Sequence, residues 1–158
     1  MFYGALLVFC AVVVALDQIS KALTLANIPL YGVVEAVPGL FHLTHVHNTG
    51  AAFSSFQGMQ WLFALVFLVF TALLVWEAVK QSLRLSKFDW FCVAAIYGGG
   101  LGNMIDRVRF GFVVDMIEVD FIRFPVFNVG DSFITCGILL LLIDLLFFNR
   151  AFWKEDGK

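Results

Sequence analysis

The run MQWLFALVFLVFTALLVWEAV, residues 59–79, decides the architecture. It holds one ionisable residue, Glu77, close to its end. As a helix rising about 1.5 Å per residue, such a run crosses the ~30 Å hydrocarbon core of a bilayer. Three more stretches carry the same signature, at roughly 3–25, 88–106 and 132–150. The expectation is an all-α membrane protein, a single domain over residues 1–158 with four transmembrane helices. Small β or irregular extracytoplasmic elements are expected between helices 1 and 2 and between helices 3 and 4. Ser86, followed three residues later by Asp89, predicts a capping box that opens the third helix.

Composition points the same way. Hydrophobic residues make up 61% and charged residues 14%, against about 25% charged in a soluble domain. Mean hydropathy is +0.93. The basic residues are scattered, which excludes a nucleic-acid footprint. Residues 2–16 are apolar, with no Lys or Arg before them and no small-residue cleavage site after them. They read as a retained first helix and not as a removable signal peptide. Cys10, Cys92 and Cys136 all sit in apolar runs, in no metal or disulfide spacing, and read as small buried hydrophobes.

Basic residues set the orientation. Lys80, Arg84 and Lys87 lie between helices 2 and 3, and Arg150, Lys154 and Lys158 follow helix 4. The opposite loops carry only Arg107, Arg109 and Arg123. Positive-inside counting puts both termini and the 80–87 loop in the cytoplasm, and the 26–58 and 107–131 loops outside. These outer loops are apolar enough to lie on the membrane surface or over the helix ends. Leu40-Phe41-His42-Leu43-Thr44 is β-prone, and 112–124 stays open between strand and irregular structure. Trp61, Trp76, Trp90 and Trp153 fall near helix ends, as interface anchors do.

With this orientation, Asp17, Lys21, Asn48, Asn103, Asp106, Arg107, Asp115, Asn128 and Asp131 all gather at the outer interface. Asp17 and Lys21 are four apart and share a helix face. Asp115 and Asp131 are two carboxylates in apolar surroundings, which is costly unless they are paired, neutralised or used. Two that meet suggest a pair sharing one proton and activating water. Asp131 sits at a helix N-terminus, where the macrodipole favours negative charge. Asp115, among Val, Phe and Met, favours the neutral form. The expectation is that Asp131 carries the charge at rest and Asp115 the proton.

At these residues the sequence resembles a family. Asp17-Gln18-x-x-Lys21, Asn48-x-Gly50-Ala51-Ala52-Phe53, Gly102-Asn103-x-Ile105-Asp106-Arg107, Val113-Val114-Asp115 and Phe127-Asn128-x-x-Asp131 resemble, in order, the motifs of lipoprotein signal peptidase, the type II signal peptidase of bacteria. Gly130 stands where that family usually has Ala, and Met116 where it often has Phe. The resemblance implies an aspartic endopeptidase of the bacterial inner membrane. It would remove the signal peptide from diacylglyceryl-modified prolipoproteins by cutting just before the lipidated cysteine, at the outer face. It implies Asp115 and Asp131 as the catalytic dyad, and Asn48, Asn103, Arg107 and Asn128 as substrate-binding residues. Asp17, Lys21 and Asp106 become supporting residues. The implied partners are the prolipoprotein, membrane lipid and a cyclic peptide antibiotic inhibitor of the globomycin type; no cofactor is implied.

Plainer readings stand beside these. Asp17 with Lys21 makes a structural ion pair, and Asp106 pairs with a nearby arginine. Asn103 and Asn128 cap backbone. Gly98-Gly99-Gly100-Leu101-Gly102 serves either close helix packing or close approach of substrate. His45 and His47 share a strand face while His42 points away; with no ligand spacing, all three read as interfacial, and no metal is expected. The rival function is a small transporter or channel subunit, which requires ionisable residues spread across the bilayer. A structural membrane protein is a third reading; it has no need of both Asp115 and Asp131.

Overall fold

A computed structural model describes residues 1–50, 56, 58–149 and 152–153. Ala51, Ala52 and Phe53 of the second motif, and Arg150, Lys154 and Lys158 of the tail, lie outside the described residues. The helices are α1 (Phe2–Asn27), α2 (Gln60–Lys80), α3 (Lys87–Phe110) and α4 (Val129–Ile143), and a π-helical turn (Asp144–Phe148) prolongs α4. Strands β1 (Val33–Val37), β2 (Phe41–Asn48) and β3 (Val113–Val119) form one antiparallel sheet in the order β1-β2-β3. The β elements therefore fall in the two loops where they were expected, and 112–124 resolves into a strand followed by irregular chain.

Two helix ends differ from expectation. Helix α3 continues past 106 to Phe110, where Gly111 takes the left-handed conformation (φ 78°) and its N–H bonds back to Arg107 O. Helix α4 begins at Val129, ahead of 132, because Asn128 caps it. Asn128 Oδ1 accepts from Asp131 N at 2.8 Å, and Asp131 Oδ2 accepts from Asn128 N at 3.2 Å. This reciprocal box satisfies two N–H groups that a helix start leaves unpaired. It also places Asp131 inside the first turn. The expected box at Ser86 and Asp89 has the same two bonds, at 3.1 and 2.8 Å.

Among the described residues, Phe2–Asn27, Gln60–Lys80 and Val129–Phe148 are long and apolar enough to cross a membrane. Helix α3 is not one of these three, yet it is the hub, packed against α1, α2 and α4. Lipid is as apolar as Leu, so helices in a bilayer associate through close packing and polar contacts. The glycines of α3 supply the packing. A Cβ on Gly98 would lie 2.9 Å from Val13 Cγ1, and one on Gly99 or Gly102 would collide with Gly130 O or the Asp17 carboxylate. The bulky side chains face outward instead: Leu65, Leu68, Val69 and Leu73 of α2 are all at least half exposed. The interior holds Val13, Ala94 and Ala95 beside Asp17, Lys21, Asp106 and Asn128.

Strand register brings the second outer loop to the first. Asn48 pairs with Val113 and Val46 with Asp115, after an irregularity between Leu43 and Val46. Side chains two apart on a strand share a face, so Asn48 and Asp115 point to the same side. Phe127 then adds to the free edge of β3: its carbonyl accepts from Met116 N and Ile117 N, and its N–H donates to Ile117 O. That return leaves Asn128, the next residue, against Asp115.

Candidate active site

Asp115 on β3 and Asp131 in the first turn of α4 line one cavity of about 570 Å³. Asn48, Asn103 and Arg107 line it too, and Phe124–Phe127, Ile134 and Thr135 form an apolar wall. All four carboxylate oxygens accept an N–H. Asp115 Oδ1 takes Asn128 Nδ2 at 2.7 Å and Asp115 Oδ2 takes Asn48 Nδ2 at 2.9 Å. Asp131 Oδ1 takes Asn103 Nδ2 at 2.7 Å, and Asp131 Oδ2 takes Asn128 N.

Each amide presents its NH₂ to a carboxylate because its oxygen is already engaged. Asn48 Oδ1 accepts from Gly50 N at 2.9 Å. Asn128 Oδ1 accepts from Asp131 N. Asn103 Oδ1 accepts from Lys21 Nζ at 2.8 Å and from Asn128 Nδ2 at 3.1 Å. An ammonium only donates, so Lys21 holds the oxygen side of Asn103 toward itself and the nitrogen side toward Asp131. The three asparagines therefore orient the aspartates. Asn128, besides capping backbone, does both at once.

Lys21 is the centre of the layer beneath. It is 2% exposed and pairs with Asp17 Oδ2 at 2.8 Å and Asp106 Oδ2 at 3.1 Å. The structure thus corrects the arginine expected beside Asp106: the partner cation is Lys21. Arg107 follows Asp106 directly in α3 and turns another way, over the Phe63 ring at 4.2 Å. Asp106 also accepts from Gln18 Nε2 at 2.9 Å and Val114 N at 3.0 Å, which ties α3 to β3 just before Asp115. Gly130 N donates to Asp17 Oδ1 at 2.8 Å, which ties α1 to the start of α4. Such buried ion pairs are held by added hydrogen bonds that offset desolvation.

Burial pushes the Asp115 carboxyl up to about 7, and the Asp131 charge adds to the shift. Hydrogen bonds from Asn48 and Asn128 and the charge of Lys21 act in the opposite sense. A carboxyl so placed is half protonated near neutral pH, the condition for proton transfer in either direction. Arg107 donates to Gly50 O at 3.0 Å and Asn103 O at 3.3 Å, and its Nε has no partner among the described residues.

Several residues were not legible as site residues. Gln18, a motif residue to which no role was given, donates to Asp17, Asp106 and Gly102 O. Gln60 joins Thr49 O (3.0 Å) to Gly111 O (2.8 Å), clasping the ends of β2 and α3. Cys136, expected buried, is exposed and lines the cavity. His45 is buried within the protein: its Nδ1 donates to Ile28 O at 2.8 Å, and its Nε2 meets His47 Nε2 at 3.0 Å. Burial lowers His47, which stacks on Phe112 at 3.7 Å. His42 points away, to Asp120 and Glu118, which raise it. At the opposite end of the bundle, Glu77 and Asp89 close their own loops and Asp144 reaches Ser86 Oγ. Among the described residues, the stretch of α3 between Asp89 and Asn103 has no ionisable group but Cys92 and Tyr97. No charged path crosses the hub helix, which removes the requirement of the transporter reading.

Apolar helices enclosing a polar, carboxylate-bearing cavity at one end define a helical membrane protein with a candidate reaction site. A family model described as "Signal peptidase (SPase) II" matches residues 9–147. The chain is 42% identical over 147 residues to the lipoprotein signal peptidase of Streptococcus agalactiae serotype Ia, covering 92% of this chain and 89% of that one. It is 39% identical over 150 residues to the lipoprotein signal peptidase of Enterococcus faecalis, covering 94% and 90%. Two solved bacterial membrane enzymes, determined by the in meso method at 2.3 and 1.9 Å, superpose with TM-scores of 0.84 and 0.82 at 29% and 30% identity. They cover 98% and 92% of this chain, which spans 94% and 95% of theirs. The chain belongs to the signal peptidase II family, and it is a protease.

Proposed function

We propose that this protein removes the signal peptide from diacylglyceryl-modified prolipoproteins, with Asp115 and Asp131 as the catalytic dyad. The observation that carries the reading is the pair itself. Two carboxylates from separate elements, Asp115 buried and Asp131 half-buried, line one cavity, and each of their oxygens is held by an N–H. The names of the relatives supply the substrate class.

In the reaction, Asp115 holds the shared proton and Asp131 is ionised. Asp131 takes a proton from water as the water oxygen bonds to the carbonyl carbon before the lipidated cysteine. Asp115 gives its proton to the carbonyl oxygen. The resulting gem-diol collapses: the C–N bond breaks, one hydroxyl proton returns to Asp115, and Asp131 passes its proton to the leaving amine. One water is consumed and the dyad is restored. Asn48, Asn103 and Asn128 keep the carboxylates in place, an orientation effect on the rate. Arg107, which lines the cavity, binds substrate carbonyls.

Helix α3 is the fourth span in this reading. Its charges sit in its end turns, Lys87 and Asp89 at one end and Asp106, Arg107 and Arg109 at the other. Both termini are then cytoplasmic, and the dyad faces outside a bacterial inner membrane. The lipid of the substrate stays in the outer leaflet, where each buried CH₂ contributes about 0.8 kcal/mol and fixes the depth of the scissile bond. The cavity volume also suits a cyclic peptide antibiotic of the globomycin type, since ligand pockets run about 300–1,000 Å³. Initial rates on lipidated and unmodified precursors in one detergent test the proposal. The lipidated form is cut far faster; equal rates overturn the substrate assignment.

A further inference from the structure

Helices α1 and α2 both lean on α3 but splay from each other, leaving an apolar groove of about 310 Å³. It is lined from α1 by Leu7 and Cys10, from α2 by Leu74 and Ala78, and from α3 by Ala94 and Tyr97. The groove lies at the end of the bundle away from Asp115 and Asp131: Tyr3 near the start of α1 and Trp90 near the start of α3 also border it. It opens sideways, where a bilayer offers only acyl chains.

Its mouth is polar. Gln81, which ends α2 in a left-handed conformation (φ 52°), donates to Tyr3 Oη at 3.2 Å. The phenol accepts there, so its own O–H is left to donate outward. Lys87, the first residue of α3, lies one turn before Trp90 on the same side of the helix. It is exposed and makes no ion pair among the described residues. The nearby acids are engaged: Glu77 accepts from Ser82 Oγ (2.6 Å) and Leu83 N (2.8 Å). Asp89 accepts from Ser86 N (2.8 Å) and Asn149 Nδ2 (2.7 Å). Both acids are buried, so the exposed charge beside Trp90 is that of Lys87.

We infer that this groove binds one anionic phospholipid, an acyl chain between α1 and α2 and the phosphate at Tyr3, Gln81 and Lys87. Basic pockets between spanning helices hold acidic headgroups in this way. The site is separate from the reaction cavity and wedges α2, which packs chiefly on α3, into the bundle.

Native mass spectrometry of the detergent-purified full chain tests this, with phosphatidylglycerol and phosphatidylcholine of identical chains as probes. One phosphatidylglycerol is retained at least several-fold better than phosphatidylcholine. Lys87→Gln brings the two to parity and leaves cleavage unchanged. Ala94→Leu fills the groove and reduces retention of both lipids; Ala78→Leu, on the other wall, does the same should Ala94→Leu fail to fold. Equal retention of the two lipids by the parent protein overturns the headgroup assignment. A preference that survives Lys87→Gln, or lipid retained by a folded groove-filled variant, overturns the site. Because lipid retention is read and not cleavage, failure here leaves the protease reading untouched.

Discussion

Lys21 Nζ donates to Asn103 Oδ1 at 2.8 Å, and Asn103 Nδ2 donates to Asp131 Oδ1 at 2.7 Å. A lysine on α1 thus sets which end of an amide on α3 faces a carboxylate on α4. The same ammonium pairs with both Asp17 and Asp106, so orientation of the pair and cohesion of the bundle depend on one buried charge.

Replacing that charge therefore affects both. Lys21→Met leaves two buried carboxylates without a cation, a cost of about 3–5 kcal/mol, and frees Asn103 to turn its oxygen toward Asp131. The expected result is a lower thermal midpoint and loss of most cleavage, read by differential scanning fluorimetry and by precursor processing. A variant with the parental midpoint and rate would remove Lys21 from this role.

Asp115→Asn and Asp131→Asn should each abolish nearly all cleavage and still yield folded protein. For Asp115 a stability signature accompanies the loss. Its folded pKa, about 7, lies above the ordinary carboxyl value of 3.8. The folded state therefore binds more protons between those values, and its stability falls as pH rises from about 4 to about 7. Asn carries no such dependence. The variant's stability, followed through its thermal midpoint, should gain on the parent's between pH 5 and pH 8, by at most a few kcal/mol. A gap that is constant with pH would contradict a buried, raised Asp115.

The cleavage rate has a basic limb for the same reason. As pH rises through about 7, Asp115 loses the shared proton, and a doubly ionised pair has none to give the carbonyl oxygen. The rate should fall about tenfold per pH unit above that point. A rate that is flat from pH 6 to pH 9 would exclude Asp115 as the proton carrier.

Gly102→Ala tests the packing that brings the layers together. The added methyl collides with the Asp17 carboxylate, which Lys21 and Gly130 N already hold. Overpacking of this kind costs about 1–3 kcal/mol. The displaced Asp17 should draw Lys21 away from Asn103, so midpoint and rate should drop together. Gly4→Ala, where nothing lies within 4 Å, is the control and should change neither.

The chain itself determined which segments are helices, where the sheet falls and which residue types gather at one end. Those follow from local rules: apolar length, the Ser86 cap, β-prone loops, and the clustering of charges near helix ends. Hydrogen-bond partners across elements do not follow from local rules. Asp106 and Arg107 are neighbours in sequence, yet Asp106 turns to Lys21 and Arg107 to the cavity. Only packing of α1 on α3 decides this, because the glycines let Lys21 approach where an arginine was expected. Asn128 read as one polar residue among several, and became a hub once Phe127 paired with β3 and set it against Asp115. Sequence fixes which groups must find partners in a low-dielectric interior. Which partner each one finds depends on distances of a few ångströms between elements far apart in the chain, and these exist only after the helices pack.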